Sequence, residues 1–213
     1  MTTVALLLAA GAGRRMGGPK ALVRPHPDGP SLLETAVARL RAAGLDRVVV
    51  VVGAAADEVA PLAETGGAEV VRADDWDEGM GASLRSGLRH LATNAPEARA
   101  ALVTLVDLPD VGADVHRRVL AAAGPDPSAT LVRATYGGRP GHPVLLGRDH
   151  WAGVVDAAHG DRGARQYLTT HPVREVDCAD LADGRDADTP DALRLAGPSP
   201  APTSEDASDT MGR

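Results

Sequence analysis

The chain has 213 residues, 44% hydrophobic and 24% charged, with a formal net charge of -7 and only 2% aromatic residues. A chain of this size buries roughly 70% of its unfolded surface, enough for one domain with a core of Leu, Val and Ala. An acidic balance without a basic run excludes the footprint of a nucleic-acid or membrane-surface binder. No stretch approaches the roughly 20 apolar residues of a membrane span. The N-terminal apolar run has neither a charged leader nor a cleavage site, so a cytoplasmic protein is expected. Cys178 is the single cysteine, which rules out a disulfide or a thiolate-cluster metal site within the chain and leaves it as a small filler.

In chain order, apolar runs at 4–9, 47–52, 68–71, 101–106 and 129–134 predict strands, and helix-like segments separate them. The first helix opens with a Ser31-x-x-Glu34 capping box, carries the stripe Leu33, Ala36, Val37 and Leu40, and stops at Gly44. Such alternation predicts an α/β fold: a mostly parallel sheet in three Rossmann-like layers, with ligands at the carboxyl ends of the strands. After Tyr136 a Gly-Gly turn and the short run 143–146 predict a small antiparallel part. Residues 1–196 form the expected domain. Residues 197–213 lack Leu, Val and aromatics, a composition that predicts a disordered tail.

Between the first strand and the first helix lie Gly11, Gly13, Gly17, Gly18 and Pro19, followed by Lys20. Glycines at a strand end let the backbone approach a ligand and turn N–H groups toward an anion. Residues 1–24 carry Arg14, Arg15, Lys20 and Arg24 and no carboxylate, so the local charge is positive in an acidic chain and polyphosphate is the natural ligand. Lys20 is the one lysine among twenty-two basic side chains. A position that resists replacement by arginine calls for a compact charge in a tight space. A Walker loop is excluded because Pro19 precedes Lys20 and Ala21 follows it. A dinucleotide fingerprint is disfavoured: Met16 stands where its third glycine belongs, and Gly53-Ala54 stand where a ribose-binding acid would follow the second strand.

The segment LAAGAGRRMGGPK (residues 8–20) resembles the signature LAAGxGxRMGxPK of the small, MobA-like nucleotidyltransferases of molybdenum-cofactor maturation. WDEGMGASLRSGL from Trp76, VDLPDV from Val106, GRPGHPVLL from Gly138, and GDRGAR followed by DADTPDAL resemble the same family in the same order. SLRSGL and GHPVLL are more similar to its cytidylyltransferase branch. The resemblance implies a GT-A type nucleotidyltransferase fold and CTP as nucleotide. It further implies a small phosphorylated, molybdopterin-type acceptor, Mg²⁺ as cofactor, and molybdenum hydroxylase apo-enzymes as partners. A similar domain also occurs in nicotinamide-dependent dye oxidoreductases of the nicotine blue type, which leaves an oxidoreductase as the alternative, beside GTP or a sugar phosphate as substrate.

By the same resemblance, the backbone of Leu8, Ala9, Ala10, Gly11 and Gly13 faces the nucleotide, and Arg15 and Lys20 grip its phosphates. The methyl of Ala10, where GTP-using members tend to have glycine, would crowd a purine. Asp107 ends the run ALVTLV ahead of Leu108-Pro109, where it is either a magnesium ligand or a turn-capping carboxylate. The resemblance pairs it with Asp188 in preference to Asp186, although Asp188 also suits a helix N-cap before Thr189-Pro190. Gly81, Ala82 and Ser83 open a helix whose N–H groups could hold base or ribose, or Ser83 caps that helix. Gly141 and His142 are acceptor-side candidates, with His142 read equally as a satisfied turn histidine. Arg14 is read as a solvated charge, Trp76 as core, and His90, His116, His150, His159 and His171 as surface residues without metal-ligand spacing.

Overall fold

The computed structural model describes residues 2–187 and Leu193. The boundary at residue 196, the tail and Asp188 lie outside the described residues. A seven-stranded sheet runs through the centre in the order β3-β2-β1-β4-β6-β5-β7. Its strands are β1 (Thr2–Leu8), β2 (Val48–Val52), β3 (Glu69–Arg72), β4 (Ala98–Leu105), β5 (Leu131–Tyr136), β6 (Arg139–Gly147) and β7 (Arg174–Asp177). The helices are α1 (Leu32–Ala42), α2 (Ala56–Thr65), α3 (Met80–Asn94), α4 (Ala113–Ala122), α5 (Trp151–Ala157) and α6 (Arg165–Thr169).

The expected α/β fold is present, and burial explains it. β2 is five consecutive valines, all buried, as befits a parallel strand covered on both faces. In β1, Ala5 and Leu7 join the core under α1, α2 and α4, while Val4, Leu6 and Leu8 join the core under α3, α5 and α6. The α1 capping box forms in both directions: Ser31 N donates to Glu34 Oε2 at 2.7 Å, and Glu34 N donates to Ser31 Oγ at 3.2 Å. Leu33 and Leu40 on the inner stripe are fully buried, each worth roughly 1.5–3 kcal/mol relative to exposure. No described helix is long and apolar enough to cross a membrane.

The small antiparallel part expected after Tyr136 is present. It is β6, nine residues long, which lies between β4 and β5 and runs antiparallel to both. β7 was not anticipated, because REVD is a polar, largely exposed edge strand without an apolar run. His116 is also no surface residue; it sits on α4 at 2% exposure beside Arg39.

Crossovers through α1 and α2 carry the chain outward from β1 to β3, and α3 returns it to the opposite side of β1 as β4. The topological switch point therefore falls between β1 and β4, whose carboxyl ends lead into the glycine-rich loop and into Asp107.

Candidate active site

Past the end of β1 the backbone stays tied to the sheet. Ala9 N donates to Val51 O at 2.9 Å, and Ala54 N donates to Ala10 O at 3.0 Å. The chain then turns at Gly13 (φ 58), whose carbonyl accepts from Met16 N at 2.8 Å and from Gly18 N at 3.3 Å. A Cβ on Gly13 would lie 1.9 Å from the Gly18 carbonyl oxygen, so only glycine closes this loop. Lys20 opens a short 3-10 turn anchored by buried Ala21, and the following Val23 carbonyl accepts from Leu32 N at 2.9 Å, joining the loop to α1.

Opposite, Val106 N donates to Leu8 O at 3.2 Å, and the chain presents Asp107 one residue later. Buried Leu108 and Val111 pin the turn from beneath. Lys20 Nζ and Asp107 Oδ2 meet at 2.6 Å, with side-chain exposures of 16% and 18%. Two groups 87 residues apart in sequence are thus brought together at the mouth of the sheet. Ala187 N donates to Asp107 O at 2.9 Å, so the last stretch of described chain also ends here.

A cleft of about 460 Å³ lies beside this pair, lined by Leu8 to Gly13, Lys20 and Asp107 and by Trp76, Asp77, Gly79, Met80 and Ser83. The expected site residues do not all line this cleft. Arg14 lines the cleft, whereas Arg15 is exposed outside its lining. Arg14–Met16 is a 3-10 turn, which rotates successive side chains by about 120°. Arg24 is committed elsewhere, to Glu34 at 3.1 Å. Gly81 is backed against the Ala158–His159 backbone, Ala82 is fully buried with its N–H given to Gly79 O at 3.2 Å, and only Ser83 of the three lines the cleft. The helix starts at Met80 with Gly79 as its N-cap and no side-chain cap.

Trp76 is half-buried. A Cβ at Gly53 would lie 2.5 Å from its Cβ and Cγ and 2.9 Å from the Ala10 Cβ. Gly53 is therefore small so that Trp76 can close one wall of the cleft. The Ala10 methyl packs toward this contact, and the residue, 4% exposed, forms part of the cleft lining.

A second cavity of about 750 Å³ adjoins the first, sharing Leu8, Met80, Leu105 and Asp161 with it. Gly141 and His142 line it, together with Arg133, Arg139, Arg162, Arg165 and Arg185 above an apolar floor of Leu84, Val144 and Leu146. Burial pushes the His142 imidazole down to about 4, against a weaker upward pull from the Asp107 charge, so the ring is neutral at pH 7. Tyr136 Oη donates to His142 O at 2.6 Å and steadies the turn. Arg133 Nη2 donates to Glu175 Oε1 at 2.6 Å across the β5–β7 pair. Asp186 lines this second cavity.

Sequence reasoning missed this arginine set and Tyr136. The charged, glycine-flanked GDRGAR segment was the one visible signal. Among the described residues no group of three or more His, Cys, Asp or Glu could hold a metal ion. Asp107 alone still suits a hard divalent ion, which takes one or two carboxylates and completes its shell with phosphate oxygens and water.

Residues 5–176 match the model of the MobA-like NTP transferase domain. Nicotine blue oxidoreductase of Paenarthrobacter nicotinovorans is 35% identical over 191 residues, 86% of this chain and 91% of that one. Among solved structures, Rv0371c of Mycobacterium tuberculosis is 31% identical with a TM-score of 0.74, covering 92% of this chain and 97% of its own. That protein has also been solved in complex with manganese. A nucleotidyl transferase from Methanothermobacter, 24% identical, shares the fold at a TM-score of 0.75, with 92% and 96% of the two chains covered.

Proposed function

The chain belongs to the MobA-like NTP transferase family, and we propose that it transfers CMP from CTP to the terminal phosphate of a molybdopterin-type acceptor, releasing pyrophosphate. The observation that carries this reading is the Lys20–Asp107 contact of 2.6 Å, beside the glycine-rich loop and next to a cavity rimmed by five arginines. The first cleft has backbone walls and cations suited to a nucleoside triphosphate. The second has cations above an apolar floor, suited to an acceptor that joins a phosphate to a ring system.

An ionised acceptor phosphate needs no general base. Its oxygen attacks the α-phosphorus in line, the bond from that phosphorus to the bridging oxygen breaks, and pyrophosphate leaves with the electron pair. The chain's task is positioning and charge neutralisation. Lys20 and Asp107 compensate each other in the absence of substrate. On nucleotide binding the ammonium would turn to the phosphates, and Asp107 would then be the carboxylate that holds Mg²⁺. When bound, that ion polarises the phosphate oxygens and offsets the charge of the pyrophosphate. The manganese complex of the mycobacterial relative supports a divalent ion. Arg14, from the cleft wall, adds a second positive charge. The cytidylylated product would be handed to molybdenum hydroxylase apo-enzymes.

One observation favours a second reading, reduction of a quinone-like dye by a nicotinamide cofactor: the 35% identity to nicotine blue oxidoreductase. The apolar floor of the second cavity would then take the dye. Pyrophosphate release with each of the four nucleoside triphosphates and molybdopterin, run beside NADPH consumption with a quinone acceptor, decides between them. Release with CTP supports the transferase. NADPH turnover without pyrophosphate release would replace it by the oxidoreductase.

A further inference from the structure

We propose that Asp161 accepts hydrogen bonds from the ribose hydroxyls of the bound nucleotide and makes the site select ribonucleotides over deoxyribonucleotides. The inference rests on the nucleotidyltransferase reading and adds a specificity residue to it.

Asp161 is the one polar residue among the four that line both cavities; Leu8, Met80 and Leu105 are the others. It sits in the 3-10 turn Gly160–Arg162, which begins at Gly160 (φ 54) and is followed by Gly163 (φ 50), both at positive φ. The turn is pressed onto the start of α3. A Cβ at Gly79 (φ 114) would lie 2.6 Å from Asp161 Oδ1 and 2.6 Å from the Gly160 carbonyl carbon, so any side chain at residue 79 would displace the carboxylate. Arg85, 11% exposed, fastens the same junction: Nη1 donates to Ala158 O at 2.8 Å, and Nη2 reaches Asp75 at 2.8 Å and Glu78 at 2.7 Å. The position of Asp161 is therefore built by glycines and an arginine from separate segments. Its own carboxylate engages no hydrogen bond or ion pair among the described residues.

A carboxylate between two cation-lined cavities repels the phosphates on either side, so its place in the fold calls for neutral donors. A nucleoside triphosphate offers two groups of these, the sugar hydroxyls and the base. The phosphates belong with Lys20 and Arg14, and the base edge is met by the backbone wall of Leu8 to Gly11. The sugar is left facing the opposite wall of Gly79, Met80 and Ser83, over which Asp161 stands.

The test is isothermal titration, in magnesium buffer, of CTP and 2′-deoxy-CTP, and of GTP and 2′-deoxy-GTP, into wild type, Asp161→Asn and Asp161→Ala. Thermal melts establish that the exposed substitutions leave the fold intact. Hydrogen bonds to a charged acceptor predict that wild type binds the ribonucleotide roughly 10–100-fold more tightly than its deoxy partner. Asp161→Ala should bring the ratio to about one, the ribonucleotide losing more affinity than its deoxy partner, with Asp161→Asn between. A wild-type ratio near one with tight binding overturns the proposal alone, as does an unchanged ratio in Asp161→Ala. Failure of wild type to bind any of the nucleotides removes the nucleotidyltransferase reading along with it.

Discussion

Alanine at Gly11 and alanine at Gly13 should have opposite consequences, although the two glycines stand two residues apart in one loop. At Gly13 the backbone is left-handed and the added methyl would lie 1.9 Å from the Gly18 carbonyl oxygen and 2.8 Å from its carbon. The left-handed conformation costs a non-glycine residue about 1–2 kcal/mol, and relieving a backbone clash adds about 1–3 kcal/mol. Gly13→Ala should therefore lose about 2–5 kcal/mol, which in a domain of this size lowers Tm by roughly 10 °C. At Gly11 the methyl meets nothing within 4 Å, and φ is not left-handed. Gly11→Ala should hold its stability, or gain about 0.4–1 kcal/mol through a less flexible unfolded chain. Its methyl would enter the space where the nucleotide approaches the backbone, so triphosphate affinity should fall at least tenfold. Urea denaturation and calorimetric titration of CTP measure the two effects separately. Equal destabilisation by both substitutions would refute the loop geometry, and full CTP affinity in Gly11→Ala would refute the assignment of this wall to the nucleotide.

Lys20→Arg keeps the charge but places a planar fork where a compact ammonium sits at 16% exposure. Turnover should fall about 10²–10³-fold with little change in Tm, and near-normal turnover would show that charge alone suffices there. His116 is pushed down to about 4, by burial first and by the Arg39 guanidinium second. Between pH 6.5 and about 4 the unfolded chain takes up a proton that the folded one refuses. The stability tied to this residue is thus complete above pH 6.5 and lost as pH falls through that window, by up to about 3 kcal/mol. The stability of wild type relative to His116→Leu should fall by that amount between pH 7 and pH 4, and parallel pH profiles would contradict it. Tyr136→Phe removes the donor to the His142 carbonyl, at a cost of about 1–2 kcal/mol in urea denaturation. An unchanged midpoint would mean that the hydroxyl does not secure the second cavity's turn.

The two halves of the site differ in how much of them a reader of the sequence can see. The first cleft is walled by the glycine-rich segment from Leu8 to Gly13, and a backbone wall leaves its mark as residues that have no substitute. Gly13 is required by its conformation, Gly11 stands at the open face, and Lys20 is the single lysine in an arginine-rich chain. Its meeting with Asp107 followed from the rule that parallel strands deliver ligands at their carboxyl ends. Side-chain directions there are not legible, since a 3-10 turn, invisible in a glycine-rich string, sets Arg14 and not Arg15 in the cleft lining. The second cavity is made of side chains from β5, β6, the turn before α6 and the chain near Arg185, segments brought together by the insertion of β6 between β4 and β5. No local pattern encodes that insertion; it depends on Val103 pairing with Val144 across the sheet instead of with a residue of β5. Arginines scattered through a chain read as solvated charges until topology collects them. In a family whose nucleotide half can be read from one loop, the acceptor is accordingly where one member can diverge from another without altering the signature, and it is at the seam between the halves, at Asp161, that a substitution reports on both.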